Sequence, residues 1–227
     1  MREICLDTET TGFDPATGHR VVEIGCVELY GRIRTGNTFH AYLNPERDVP
    51  EDAFRVHGIS TEFLQDKPFF ANIADRFLAF IGESPLVIHN AGFDMKFVNA
   101  ELGQAGFDPL PMDRAIDTVI IARKKYPGAP ASLDALCKRF NIDLSSRTKH
   151  GALLDAELLA EVYLELMGGR QESMKLLAEA QAFAASNNAQ ILTPREHTPT
   201  PEEIAAHEAF LKKIKNPMWL EEVAESA

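Results

Sequence analysis

No run of apolar residues in this chain approaches the ~20 needed to cross a membrane, and Met1-Arg2-Glu3 leads straight into a strand-like stretch. The sequence therefore predicts neither a membrane span nor a secretory signal. Cysteine is scarce: the three, Cys5, Cys26 and Cys137, sit inside apolar runs without metal-ligand spacing. They read as core packing in a reducing compartment, so a cytoplasmic location is expected. Positive charge is also short. A net charge of −11 argues against broad, nonspecific duplex binding, which needs a basic surface to displace counterions. The acid excess covers both parts of the chain, with 25 acids against 18 bases over 1–170 and 9 against 5 over 171–227. It leaves room for a small nucleic-acid site charged by bound metal ions. Internal repeats are absent.

What is present suffices for one substantial core and an appendage: 227 residues, 45% hydrophobic. Strands are expected at Glu3–Asp7, Val21–Tyr30, Thr38–Leu43, Leu86–Ile88 and Ile116–Asp117. Phe69, Ile73, Phe77 and Phe80/Ile81 recur at helical spacing. Further helices are expected from about Asp94 to Leu102, from a Ser132 cap through Phe140, and over Ala152–Met167 with Leu154, Leu158, Val162 and Leu166 on one face. Three strands in succession, then strands alternating with helices, imply an α/β fold with a mixed sheet flanked by helices. Gly168-Gly169 closes the last helix. Residues 171–200, rich in Ala, Gln, Asn and Thr, read as a flexible linker. A short amphipathic helix, Pro201–Ile214, precedes the only tryptophan, Trp219.

The chemistry is concentrated in three clusters. Asp7 and Glu9 stand two apart on the first strand and share a face, where two carboxylates repel unless a cation lies between them or one is protonated. His89-Asn90-Ala91-Gly92-Phe93-Asp94 lies where a buried strand gives way to a helix, the edge at which α/β proteins tend to place ligands. Asp94 has a plain alternative as a helix N-cap. Asp155 interrupts the apolar register of a strongly helical segment, a costly place for a carboxylate without a partner. His150 lies five residues earlier.

Taken in order, D-x-E-T-T-G (Asp7 to Gly12), H-N-x-x-F-D (His89 to Asp94) and H-x(4)-D (His150 to Asp155) resemble the DEDDh family of 3′–5′ exonucleases. The likeness covers about the first 170 residues. It implies a ribonuclease-H-like fold, here a mixed five-stranded sheet, whose four carboxylates hold two divalent ions, Mg²⁺ or Mn²⁺. Carried over, Asp7, Glu9 and Asp155 are direct ligands, Asp94 completes the second site through water, and His150 is the general base. Hard oxygen donors suit such ions, and a histidine neutral near pH 7 can take a proton from water. The segment Asp52 to Ile59 resembles the family stretch beside the terminal nucleotide, so Asp52 and His57 are expected at the 3′-end. Thr10, Gly12, Asn90 and Phe93 are expected as phosphate, sugar or base contacts, since stacking and a few polar groups suffice for sequence-blind strand binding.

The tail resembles that of one branch of the family, the proofreading subunits of bacterial DNA polymerase III. Glu202 to Leu211 and the tryptophan segment are similar to a tether for the polymerase catalytic (alpha) subunit. Gln171-Glu172-Ser173-Met174-Lys175-Leu176 is similar to a sliding-clamp docking motif, matched at Gln171, Ser173 and Met174, with Leu176 and Leu177 where an aromatic often stands. The implied organisation is a nuclease domain over 1–170, a linker over 171–200 and a polymerase-binding tail over 201–227. A small accessory (theta-like) subunit is a further implied partner, and a single-stranded 3′-end of DNA the implied substrate. Two other readings stay open on sequence alone: a free-standing DEDDh exonuclease acting on RNA or in DNA repair, and a mainly structural subunit that braces a polymerase. The intact motifs weigh against the latter.

Overall fold

A computed structural model describes residues 1–145, 150–169 and 199–213. Five strands, β1 (Arg2–Thr10), β2 (Val21–Tyr30), β3 (Ile33–Tyr42), β4 (Leu86–Ile88) and β5 (Ala115–Asp117), form one sheet in the order β3-β2-β1-β4-β5. The first three pair antiparallel, and β4 and β5 join parallel. The mixed, helix-flanked sheet is the one expected. Gly31 and Arg32, both at positive φ, make the two-residue turn between β2 and β3, a geometry that matches the twist of a hairpin.

The two-residue period of β1 feeds two cores. Ile4 and Leu6 face α3 (Phe70–Ile81) and α4 (Ala91–Gln104), with Phe77, Phe97 and Met95 fully buried among them. Cys5 faces the opposite layer, made by α5 (Thr118–Lys125), α6 (Leu133–Arg139) and α7 (Ala152–Leu166). All three cysteines are buried free thiols, as their apolar settings predict. The central strand is thus covered on both faces, and its polar far end is where the layers open.

The elements differ from expectation at particular places. β3 starts at Ile33 rather than Thr38, because Arg34–Thr38 run exposed along the sheet edge and show no apolar alternation. Two short helices, α1 (Glu51–His57) and α2 (Thr61–Leu64), and the helix α5 were not anticipated. The first of these follows Pro50 without a side-chain cap, and α2, although Ser60 caps it by accepting the Phe63 N–H at 3.2 Å, is a single turn too short to show a helical period. Ser132 caps α6 as expected, accepting the Ala135 N–H at 3.3 Å.

A second unit, 185–227, is described by its helix α8 (Pro201–Leu211). Thr200 and Glu203 form a reciprocal capping box with Pro201 in the first turn, and the helix ends before Ile214. The clamp-like motif at Gln171–Leu176, nearly all of the expected linker and Trp219 lie outside the described residues. Among the described residues, no helix is long and apolar enough to cross a membrane.

Candidate active site

The site begins with register. Across β1 and β2, Asp7 pairs with Gly25 and Glu9 pairs with Glu23, so all four share one face. Immediately after Glu9 the pairing slips, Thr10 opposing Val21, and Val22 becomes the extra residue of a bulge. Val22 is buried against Ile59 and Leu64, which ties the α1–α2 segment to the acid-bearing end of the sheet.

Two helices from opposite layers bring the remaining groups. α7 starts at the Gly151 cap and holds Asp155, 3% exposed, in its first turn. His150 directly precedes the cap. Its Nδ1 lies 3.1 Å from Asp155 Oδ2, and its backbone N–H donates to the Val56 carbonyl of α1 at 3.4 Å. Glu9, His150 and Asp155 each present a ligand atom, all within 4.8 Å of one another. Asp94 comes from α4, beneath the other face. It is no cap: Asn90 takes that position at φ 70°, and the Asp94 carboxylate accepts the Thr8 N–H at 3.0 Å and the Thr8 hydroxyl at 2.7 Å.

Crowding shows in the ionisation. Burial pushes the Asp7 carboxyl well above the usual carboxylate range, and the charges of Asp94, Glu9, Asp155 and Glu23 push it further. Burial likewise raises Asp94, to about 7, against the two hydrogen bonds from Thr8. Carboxyls that resist ionisation when alone, with oxygen donors converging beside an imidazole, fit hard divalent cations such as Mg²⁺ or Mn²⁺.

A cavity of about 260 Å³ opens over the acids, lined by Asp7, His89, Ser132, Asp134, His150 and Asp155. Through the shared walls His89 and Ser132 it meets a groove of about 580 Å³ that runs past Asn90 and Ile120 to Arg123. His89 and Asp134 had no role assigned from sequence. His89 belongs to the second motif, which was signal enough; nothing local marks Asp134. The His89 Nδ1 lies 2.9 Å from Thr118 Oγ1, and burial lowers the ring's pKa against the nearby charge of Asp117.

The expected substrate residues divide. Thr10 and Gly12 follow the acids directly, with Thr10 Oγ1 donating to the Gly12 carbonyl at 2.6 Å. Asn90 is exposed beside the groove, its N–H directed at Asp117 at 3.3 Å, and Phe93 packs on Phe97 with ring centroids 5.0 Å apart. His57 is buried at the end of α1, its Nδ1 accepting the Ile59 N–H at 3.0 Å. Asp52 stands exposed on α1, paired with Arg55 at 3.5 Å, and does not line the acid cavity.

The family profile described as Exonuclease matches residues 4–163. The DNA polymerase III subunit epsilon of Rickettsia conorii is 51% identical over 222 residues, covering 94% of this chain and 96% of the relative. That of Escherichia coli is 47% identical over 229 residues, with 94% and 93% covered. Among solved structures, Exonuclease X in complex with 5′ overhanging duplex DNA aligns with a TM-score of 0.58 at 25% identity, over 72% of this chain and 90% of that one. The nuclease domain of 3′hExo, a DEDDh family member bound to rAMP, aligns at 0.63 and 17% identity over 73% and 91%, a likeness of fold.

Proposed function

As a chain that belongs to the exonuclease family and, within it, to the DNA polymerase III epsilon subunits, this protein is, we infer, the proofreading 3′–5′ exonuclease of a replicative polymerase. The observation that carries the reading is the convergence of β1, α4 and α7, from three places in the sequence and two layers of the fold, on one acid cluster. A site built only to pack would not gather carboxylates whose charges push Asp7 further above the usual range.

Asp7, Glu9 and Asp155 would hold two divalent ions, Mg²⁺ or Mn²⁺, with Asp94 completing the acid set. When bound, the ions stabilise the attacking and leaving oxygens of an in-line phosphodiester displacement. His150 donates through Nδ1 to Asp155, which leaves Nε2 to accept the proton of the attacking water. Its ring is half exposed to solvent. Thr10, Gly12, His57 and Phe93 surround the terminal nucleotide, and Asp52 contacts the strand from α1. The groove toward Arg123 takes the phosphates on the 5′ side of the cleaved bond, where one guanidinium supplies the charge that an acidic chain otherwise lacks.

The tail delivers the enzyme. α8, with Ile204 and Phe210 exposed, and Trp219 anchor on the catalytic (alpha) subunit, Gln171, Ser173, Met174 and Leu176 meet the sliding clamp, and a theta-like subunit joins the assembly. Tethering raises the nuclease concentration at the primer end. The test uses end-labelled single strands and a pull-down. The full chain should release mononucleotides from the 3′-end only with Mg²⁺ or Mn²⁺ and should retain the polymerase catalytic chain. Cutting after Gly169 should leave short-strand digestion nearly unchanged and abolish retention of the polymerase. A truncated chain that still binds polymerase tightly, or a full chain that binds none, favours a free-standing exonuclease instead.

A further inference from the structure

Directly opposite Asp7 the sheet carries no side chain. Gly25 pairs with Asp7 on one side and with His40 of β3 on the other, so His40, Gly25 and Asp7 form a row across three strands. The next row is Tyr42, Glu23 and Glu9. The bare position is filled by backbone. A Cβ at Gly25 would stand 2.5 Å from the Ala152 carbonyl oxygen and closer still to the Ala152 carbonyl carbon and the Leu153 nitrogen, the first turn of α7. Glycine inside a strand, where it costs stability, marks such a close approach of another backbone.

Glu23 completes the arrangement. It is 3% exposed, and His40 Nε2 lies 2.7 Å from its Oε1. Its Oε2 faces Gly151, 3.9 Å from where a Cβ on that cap residue would be. A carboxylate at the N-terminal end of a fifteen-residue helix is favourably placed against the helix dipole.

We propose that Gly25 and Glu23 are positioning residues for the reaction: Gly25 sets how closely α7 approaches Asp7, Glu23 holds the start of that helix, and together they fix Asp155 and His150 against Asp7 and Glu9. Neither touches substrate; both act through α7. The inference rests on the two-ion nuclease reading, and its test separates the two.

In the full-length protein, Gly25→Ala pushes on backbone, which cannot rotate away, so α7 must shift. Displacements near 1 Å in a reacting constellation cost about 100-fold in rate. The expected result is a folded protein whose kcat falls about 100-fold while KM for a short single strand stays within about threefold. Mn²⁺ titrated by electron paramagnetic resonance should bind about tenfold more weakly and lose the coupled-pair signal of the parent. Gly103→Ala, on α4 where an added Cβ meets nothing within 4 Å, should match the parent throughout. If Gly25→Ala does not fold, Glu23→Gln, of equal shape, decides: a kcat loss of about tenfold with weakened Mn²⁺ binding supports the proposal. Parent-like kcat and Mn²⁺ binding in a folded Gly25→Ala, or in Glu23→Gln when the former is unfolded, overturns it. A parent protein without metal-dependent digestion would overturn the nuclease reading instead.

Discussion

The two faces of β1 are made by the same alternation and do opposite things. Ile4 and Leu6 are wholly buried under α3 and α4, and nothing about them is reactive. One residue along, Cys5 joins the other core, but Asp7 and Glu9 continue that face into a cluster whose charges oppose the ionisation of Asp7. The difference lies in what each face meets. The apolar face meets phenylalanines; the acid face meets α7 with a further carboxylate. One strand therefore supplies both stability and chemistry, and the two can be separated by substitutions one position apart.

The largest effect should come from Asp7→Ala or Asp155→Ala, which should abolish digestion of a single-stranded 3′-end. Each also relieves repulsion, so the metal-free melting temperature should hold or rise. Near-parental digestion by either variant would break the contrast between the faces. Next is His150→Ala, expected to lower turnover by about 10²–10⁴ while Mn²⁺ binding, read by calorimetry, survives. A variant that loses metal and activity in equal measure would make His150 a ligand.

Leu6→Ala tests the other face. It should cost about 2–5 kcal/mol in urea unfolding and leave kcat, measured well below the melt, within a few-fold of the parent. A pH trend tests the acid side from another direction. The folded-state pKa of Asp94 is raised from 3.8 to about 7, so the folded chain keeps this proton where the unfolded chain has released it. Stability associated with Asp94 is therefore lost as pH climbs across that window. Asp94→Asn retains an acceptor for Thr8 and removes the titration. Without metal, its stability relative to the parent should rise from pH 4 to 7 and level off above. Burial of His89 works in the opposite direction, since that ring disfavours its proton, but it is common to both proteins. A flat difference would show that Asp94 titrates normally.

Much of the fold was legible because its signals are local. β2 shows its alternation, β4 is a short apolar run closed by His89-Asn90, and Ser132 announces α6. The acids were legible as motifs in order. The start of β3 was hidden because an exposed edge strand needs no apolar face, and α1 because seven residues behind a proline carry little periodicity. The geometry of the site was hidden for another reason. That Asp94 reaches Thr8 from the opposite layer, or that Gly25 stands across from Asp7, depends on pairing between residues far apart in sequence. Each end of such a pair reads as ordinary by itself, as Asp94 does with its alternative as a helix cap.

The position of α7 also has a bearing on synthesis. Among the described residues it is the last helix of the first unit, and it lies against β1 and β2, which are made well before it. A nascent chain that has made everything through α6 already owns Asp7, Glu9 and Asp94, yet has neither Asp155 nor His150. Such a chain holds most of the buried core residues without the full cluster of acids, so the last of the repulsion arises only when α7 packs. Contacts made after the barrier govern how fast a protein comes apart rather than how fast it forms. Divalent cations bound by the completed cluster should accordingly act as a latch on the finished enzyme, slowing its unfolding.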